Sequence, residues 1–235
     1  MRLDLHDKVY VVTGAAGAIA GAIVERFAEA GARLVLADVH ADRVAERARA
    51  VGGLPLGVDL AHPEGGERLA RAAQGGFGRL DGLIHTVGGF AAASLEQSDV
   101  ALYDRMLDLN LRTLFVALRG VLPVLRKQGD GFVAALSAAP GLRGEGAGMA
   151  LYAAAKAAVA TLLRSLDGEL AGTSIRVAIV YPMGAVDTPG NRAAMPEADP
   201  RQWIDPDEIG ETLVHAATRG PRGRLLELPI FPPRG

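Results

Sequence analysis

The chain has 235 residues, 49% hydrophobic and 22% charged, with a net charge of −2 at neutral pH. That length buries a sizeable core in one domain, and a near-balanced charge without any basic run argues against nucleic-acid or anionic-membrane partners. The absence of cysteine excludes disulfides, thiol chemistry and cysteine-held metals, and leaves the redox compartment open. The start, MRLDLHDKVYVVTG, carries scattered charge and soon reaches a glycine turn, unlike a secretory leader. No apolar run reaches the roughly 18–20 residues of a membrane span. A soluble, cytoplasmic protein with a small-molecule substrate is expected.

In chain order, KVYVVTG reads as a first strand, followed by a helix over AIAGAIVERFAEAG. RLVLADV is a second strand, ADRVAERARAVG a helix, LPLGVDL a third strand and PEGGERLARAAQGG a helix. LDGLIHTVG is a fourth strand, followed by one long helical stretch from Asp99 to Gly129, then the strand GFVAALS. A helix from Met149 to Gly172, the strand SIRVAIVYP and a last strand RLLELPIF complete the series. Continuous apolar runs rich in Val, Ile and Leu suit strands covered on both faces, and several helices end at glycine. This repeated order predicts an α/β fold, a doubly wound parallel sheet of seven strands in a single Rossmann-type domain over 1–235. The stretch from Tyr181 to Glu208, rich in Pro, Asp and Gly, is too long for a routine connection and reads as a substrate loop or lid over about 183–206.

Two places carry chemistry. Gly14 lies between the first strand and first helix, where a tight turn would bring a pyrophosphate to the free N–H groups and positive end of that helix. Asp38, 24 residues further on at the end of the second strand, can accept hydrogen bonds from both adenosine ribose hydroxyls and repels a 2′-phosphate. That favours NADH over NADPH. Tyr152 and Lys156 stand four residues apart on a helix, so their side chains project together. A neighbouring ammonium stabilises a phenolate and is expected to lower the phenol from its ordinary pKa of about 10, equipping Tyr152 to give or take a proton. Only three of the chain's 25 lysines and arginines are lysines, which makes a lysine at this spacing informative.

Together these residues resemble the short-chain dehydrogenase/reductase family. Its turn, Thr-Gly-x-x-x-Gly-x-Gly, is matched by Thr13 to Ala20, with Ala18 and Ala20 at the second and third glycines and Gly17 one place early. Tyr152 and Lys156 match its Tyr-x-x-x-Lys. The resemblance implies a cofactor site of Gly14, Ala16, Gly17, Ile19, Asp38, Asp59, Leu60, Val87, Gly88, Tyr152, Lys156 and Pro182, with Lys156 also on the nicotinamide ribose. It implies that Asn110 anchors a water leading to the lysine, and that the protein is a homodimer or homotetramer assembled through its long fourth and fifth helices.

The family's catalytic serine falls on Ala138 or Ala139, according to which neighbour is aligned, leaving Ser137 as the nearest hydroxyl. As residue 137 should point opposite to residue 138 on a strand, Ser137→Ala is expected to change little. Dihydropteridine reductases within the same superfamily also lack that serine, and their substrate loop is similar to DTPGNRAAMPEADPRQW; Asn110 departs from that branch. The reading is an NADH-dependent oxidoreductase acting on a small, conjugated C=O or C=N substrate. The alternatives are a general ketone or 3-oxoacyl reductase and a non-redox lyase, cyclase or binding protein of the same fold.

Overall fold

The strands inside the sheet are apolar on both sides, and the packing shows why. In β1 (Val9–Thr13), Val9 and Val11 enter one core while Tyr10 and Val12 enter the other. The remaining strands are β2 (Arg33–Asp38), β3 (Leu54–Gly57), β4 (Gly82–His85), β5 (Asp130–Leu136), β6 (Ser174–Pro182) and β7 (Glu227–Ile230). They form one parallel sheet in the order β3-β2-β1-β4-β5-β6-β7 in a computed structural model that describes residues 4–234.

One face is covered by α3 (Gly65–Phe77), α5 (Thr113–Gln128) and α7 (Ala150–Glu169). The other is covered by α1 (Ala18–Glu29), α2 (Ala41–Val51) and α9 (Pro206–Ala217). Strand order reverses direction between β1 and β4, so the loops leaving these two strands diverge and open a crevice, the usual ligand position in such sheets.

The long helical stretch is two helices, α4 (Val100–Leu107) and α5, joined by a π turn over Asp108–Arg112. The third strand stops at Gly57 on the sheet edge, short of the expected Leu60, and the last spans only Glu227–Ile230. A short helix α6 (Ala139–Arg143) follows β5, and the Pro-rich stretch contains α8 (Pro189–Ala194) and a 3₁₀ turn, Pro200–Gln202. Its two limbs are tied where Asp187 N–H donates to Ile204 O (2.8 Å) and Ile204 N–H to Ala185 O (2.9 Å).

Helix α9 is the element that the composition concealed. Asp205 caps it through Asp207 N–H, Pro206 occupies its first turn, and Ile209, Leu213 and Val214 are buried. Asp-Pro-Asp-Glu is a legible start signal, but it follows directly on a loop of the same residue types.

Candidate active site

The loop after β1 is built around Gly14. Its φ of +69° is in the left-handed region, and a Cβ there would lie 2.7 Å from Thr86 Oγ1 and 2.9 Å from Val87 N. Only glycine lets this turn close against the loop after β4, to which it is also tied by Thr86 N–H donating to Thr13 O at 3.2 Å. Gly17 then opens α1, at the N-cap.

Asp38 closes the same end of the crevice. Its carboxylate accepts from Ala16 N–H at 3.1 Å and His40 N–H at 3.0 Å. From α2, Arg43 donates to Ala16 O (2.9 Å), and Arg47 donates to Gly17 O (2.8 Å) and to Ala15 O. The groove so formed has a volume of about 440 Å³ and includes Gly14, Ala16, Gly17, Asp38, Asp59, Leu60, Val87 and Gly88 in its lining. Ile19, half-buried in the first turn of α1, and Pro182, the last residue of β6, lie outside it. The arginines and Thr86, Asp108 and Thr113 were missed in the sequence; a basic residue on a predicted second helix carries no signal of reaching the glycine turn.

Behind the groove His85, 2% exposed, lies 2.9 Å from Thr13 Oγ1 through Nδ1 and 3.3 Å from Thr113 Oγ1 through Nε2. The Thr113 hydroxyl gives its proton to Leu109 O (2.8 Å), so it accepts from Nε2–H, and Nδ1 accepts from Thr13. Burial, aided by the Lys156 charge, pushes the imidazole pKa down to about 3 and keeps it neutral.

Beyond Gly88 the second half of the site begins. A methyl on Gly88 would lie 2.8 Å from Asn110 Oδ1 and 3.1 Å from Lys156 Nζ, so the groove, the π turn and α7 meet at this point. Asn110, 1% exposed, donates through Nδ2 to Met106 O (2.9 Å) and Gly89 O (3.1 Å) and accepts from Gly89 N–H at 3.2 Å. Its amide clamps the loop after β4 to the π turn.

Lys156 is buried and donates to Leu136 O at 3.0 Å, with Nζ 5.9 Å from the Tyr152 ring centroid. Burial lowers its pKa to about 8 and raises that of the Tyr152 phenol to about 12. The expected depression of the phenol is therefore reversed: loss of water around the ring disfavours the phenolate. Phe90, 63% exposed, meets Tyr152 edge to face, with centroids 5.0 Å apart and planes at 80°.

Ser137 is buried and donates to the backbone oxygen of Lys156 at 2.8 Å. Its hydroxyl is thus part of the seating of α7, and Ser137→Ala is not the neutral change that strand alternation alone suggests. Ala138 is buried and extended at the N-cap of α6.

A doubly wound sheet with a glycine turn at its switch point and an acid at the end of the neighbouring strand is the architecture of a dinucleotide-binding protein. Comparison with known proteins agrees. Residues 8–199 match the short chain dehydrogenase family. An uncharacterized oxidoreductase of Staphylococcus saprophyticus is 29% identical over 236 residues, covering 98% of this chain and 99% of its own. One from Staphylococcus aureus is 30% identical over 231 residues, covering 97% and 98%. Among solved structures, levodione reductase superposes with a TM-score of 0.85 at 25% identity, covering 97% of each chain. A 3-ketoacyl-(acyl-carrier-protein) reductase from Brucella melitensis, complexed with NADH, gives 0.86 at 23% identity, covering 97% of this chain and 98% of its own. The chain belongs to the short-chain dehydrogenase/reductase family and is an NAD(P)-dependent oxidoreductase.

Proposed function

We propose that the protein is an NADH-dependent reductase of a small, conjugated C=O or C=N substrate, of the dihydropteridine reductase-like kind, with Tyr152 as its proton donor. The observation that carries this reading is the geometry of the pair: buried Lys156 Nζ lies 5.9 Å from the Tyr152 ring centroid, at the end of the groove where Gly88, Asn110 and Lys156 meet. The crevice suits a dinucleotide: Gly14 permits the tight turn that sets the N-terminus of α1 beside the groove, and Asp38 lines the groove with no ion-pair partner among the described residues. When bound, the nicotinamide supplies hydride chemistry.

The chain's own residues do the rest. The Asp38 carboxylate takes the adenosine ribose hydroxyls and opposes a 2′-phosphate. With a pKa of about 12 the Tyr152 phenol holds its proton at neutral pH and delivers it to the substrate atom that gains charge. The Lys156 ammonium steadies the phenolate left behind and binds the ribose beside it, while Asn110 fixes the Gly88–Gly89 loop against both.

Ala138 is what favours a conjugated substrate. An ordinary ketone concentrates charge on one oxygen, where a missing donor costs about 2.7–4 kcal/mol in the transition state. A conjugated acceptor spreads that charge and dispenses with the donor, and the exposed face of Phe90 offers a flat apolar wall beside Tyr152. A homo-oligomer through the α4–α5 stretch and α7 is part of this proposal, since Val100, Tyr103 and Phe115 expose large apolar side chains along α4 and α5.

The test follows NADH oxidation with quinonoid dihydropterin, a dicarbonyl and a simple ketone. The conjugated substrates should be reduced and the ketone poorly; Ala138→Ser should raise turnover of the ketone alone. Tyr152→Phe should abolish reduction while leaving NADH affinity nearly intact. Retention of more than about a tenth of wild-type turnover in Tyr152→Phe would show that another group gives the proton. Tight nucleotide binding with no oxidation by any of the three would favour the non-redox alternative.

A further inference from the structure

His85 is buried and titratable, and takes no part in the proton transfer assigned to Tyr152 and Lys156. It ends β4 in register with Thr13, the last residue of β1, so the two side chains share the sheet face that α5 covers. The Thr13 hydroxyl is buried and has the imidazole as its only hydrogen-bond partner among the described residues. Thr113, buried at the start of α5, has committed its proton to Leu109 O. A neutral imidazole offers one acceptor and one donor on a rigid ring, and both are used: Nδ1 faces Thr13 at 2.9 Å and Nε2 faces Thr113 at 3.3 Å. The ring is outside the groove lining, but what it joins is not. Gly14 and Thr86, which follow Thr13 and His85, line the groove, and so do Asp108, Leu109 and Thr113. The same π turn seats Asn110, whose amide holds Gly89.

We propose that His85 is a positioning residue for the reaction. Its imidazole, as the Nε2–H tautomer, sets the spacing between the turn after β1 and the π turn that carries Asn110, so that a nucleotide in the groove lies within reach of Tyr152 and Lys156. This rests on the reading of the groove as a nicotinamide nucleotide site.

The experiment uses His85→Asn, Thr113→Val and their double variant, with Thr113→Ser as the conservative control. Asparagine reproduces the position of Nδ1 but stops short of Nε2, so it keeps Thr13 and releases Thr113; valine removes the same bond at nearly constant volume. Each variant is compared with the wild type at a temperature where circular dichroism shows it folded. The readouts are the dissociation constant of NADH, the emission of bound NADH, which reports how firmly the nicotinamide is held, and kcat with quinonoid dihydropterin or a dicarbonyl. Both single variants should lower the emission and cut kcat about tenfold or more, with NADH affinity changed less than about threefold. The double variant should be no worse than either single one, because one link is cut twice, and Thr113→Ser should match the wild type. NMR of the labelled imidazole nitrogens should show Nε2–H in the wild type and a shift toward Nδ1–H in Thr113→Val. An Nδ1–H wild type, unchanged emission in both single variants, or losses that add in the double variant overturn the inference, while NADH binding leaves the groove reading standing. A wild type that binds no NADH overturns both.

Discussion

Replacing Lys156 by methionine should make the protein more stable and inactive. The ammonium is 6% exposed, and its pKa of about 8 lies below the ordinary 10.5 because burial penalises the charged form. At about 1.4 kcal/mol per pH unit, holding that charge inside the fold at pH 7 costs roughly 3 kcal/mol. Methionine fills a similar volume without charge but forfeits the bond to Leu136 O, worth about 1 kcal/mol. The net gain is about 2 kcal/mol, or roughly 4–8 °C in Tm for a chain of this size.

The pH dependence carries the sharper test. Since the folded pKa is below the unfolded one, the unfolded chain binds more protons between pH 8 and 10.5, and wild-type stability rises across that window relative to the variant. Below pH 8 the cost is fully present; above 10.5 both states hold a neutral amine and the advantage of methionine disappears. Urea unfolding of both proteins at pH 7 and pH 10, at one protein concentration, measures the difference. A variant less stable than wild type at pH 7, or an advantage undiminished at pH 10, refutes the argument that Lys156 is a charge kept at the expense of stability.

Two further expectations concern the same helix. Reduction requires a protonated phenol and a charged ammonium, both present below pH 8, so kcat/KM should be level there and fall above it; a rise between pH 8 and 10 would indicate a phenolate base instead. Ser137→Ala removes the bond to the Lys156 carbonyl and should cost about 1 kcal/mol of stability, with the same proportional effect on turnover of every substrate. A loss confined to ketones, with stability unchanged, would mean that Ser137 faces the substrate.

Residues close in the chain determined much of this protein by themselves. Uninterrupted Val, Ile and Leu runs separated by helical periodicity specify a parallel sheet covered on both faces, because a strand with two apolar sides has no solvent face to offer. Gly14 at the first turn, Asp38 at the next strand end and the four-residue spacing of Tyr152 and Lys156 are equally local, and all were legible. The rest depends on what packing brings together. Arg43 reaches the turn residue Ala16 from α2, and His85 finds Thr13 and Thr113 across 72 and 28 residues of chain. The π turn that seats Asn110 interrupts a helical pattern that runs unbroken in the residues. The direction of the Tyr152 shift was misread for the same reason. Spacing places a charge beside a phenol, but the ionisation of both depends on how much water the whole fold leaves around them, and that is decided only when α7 docks on the sheet.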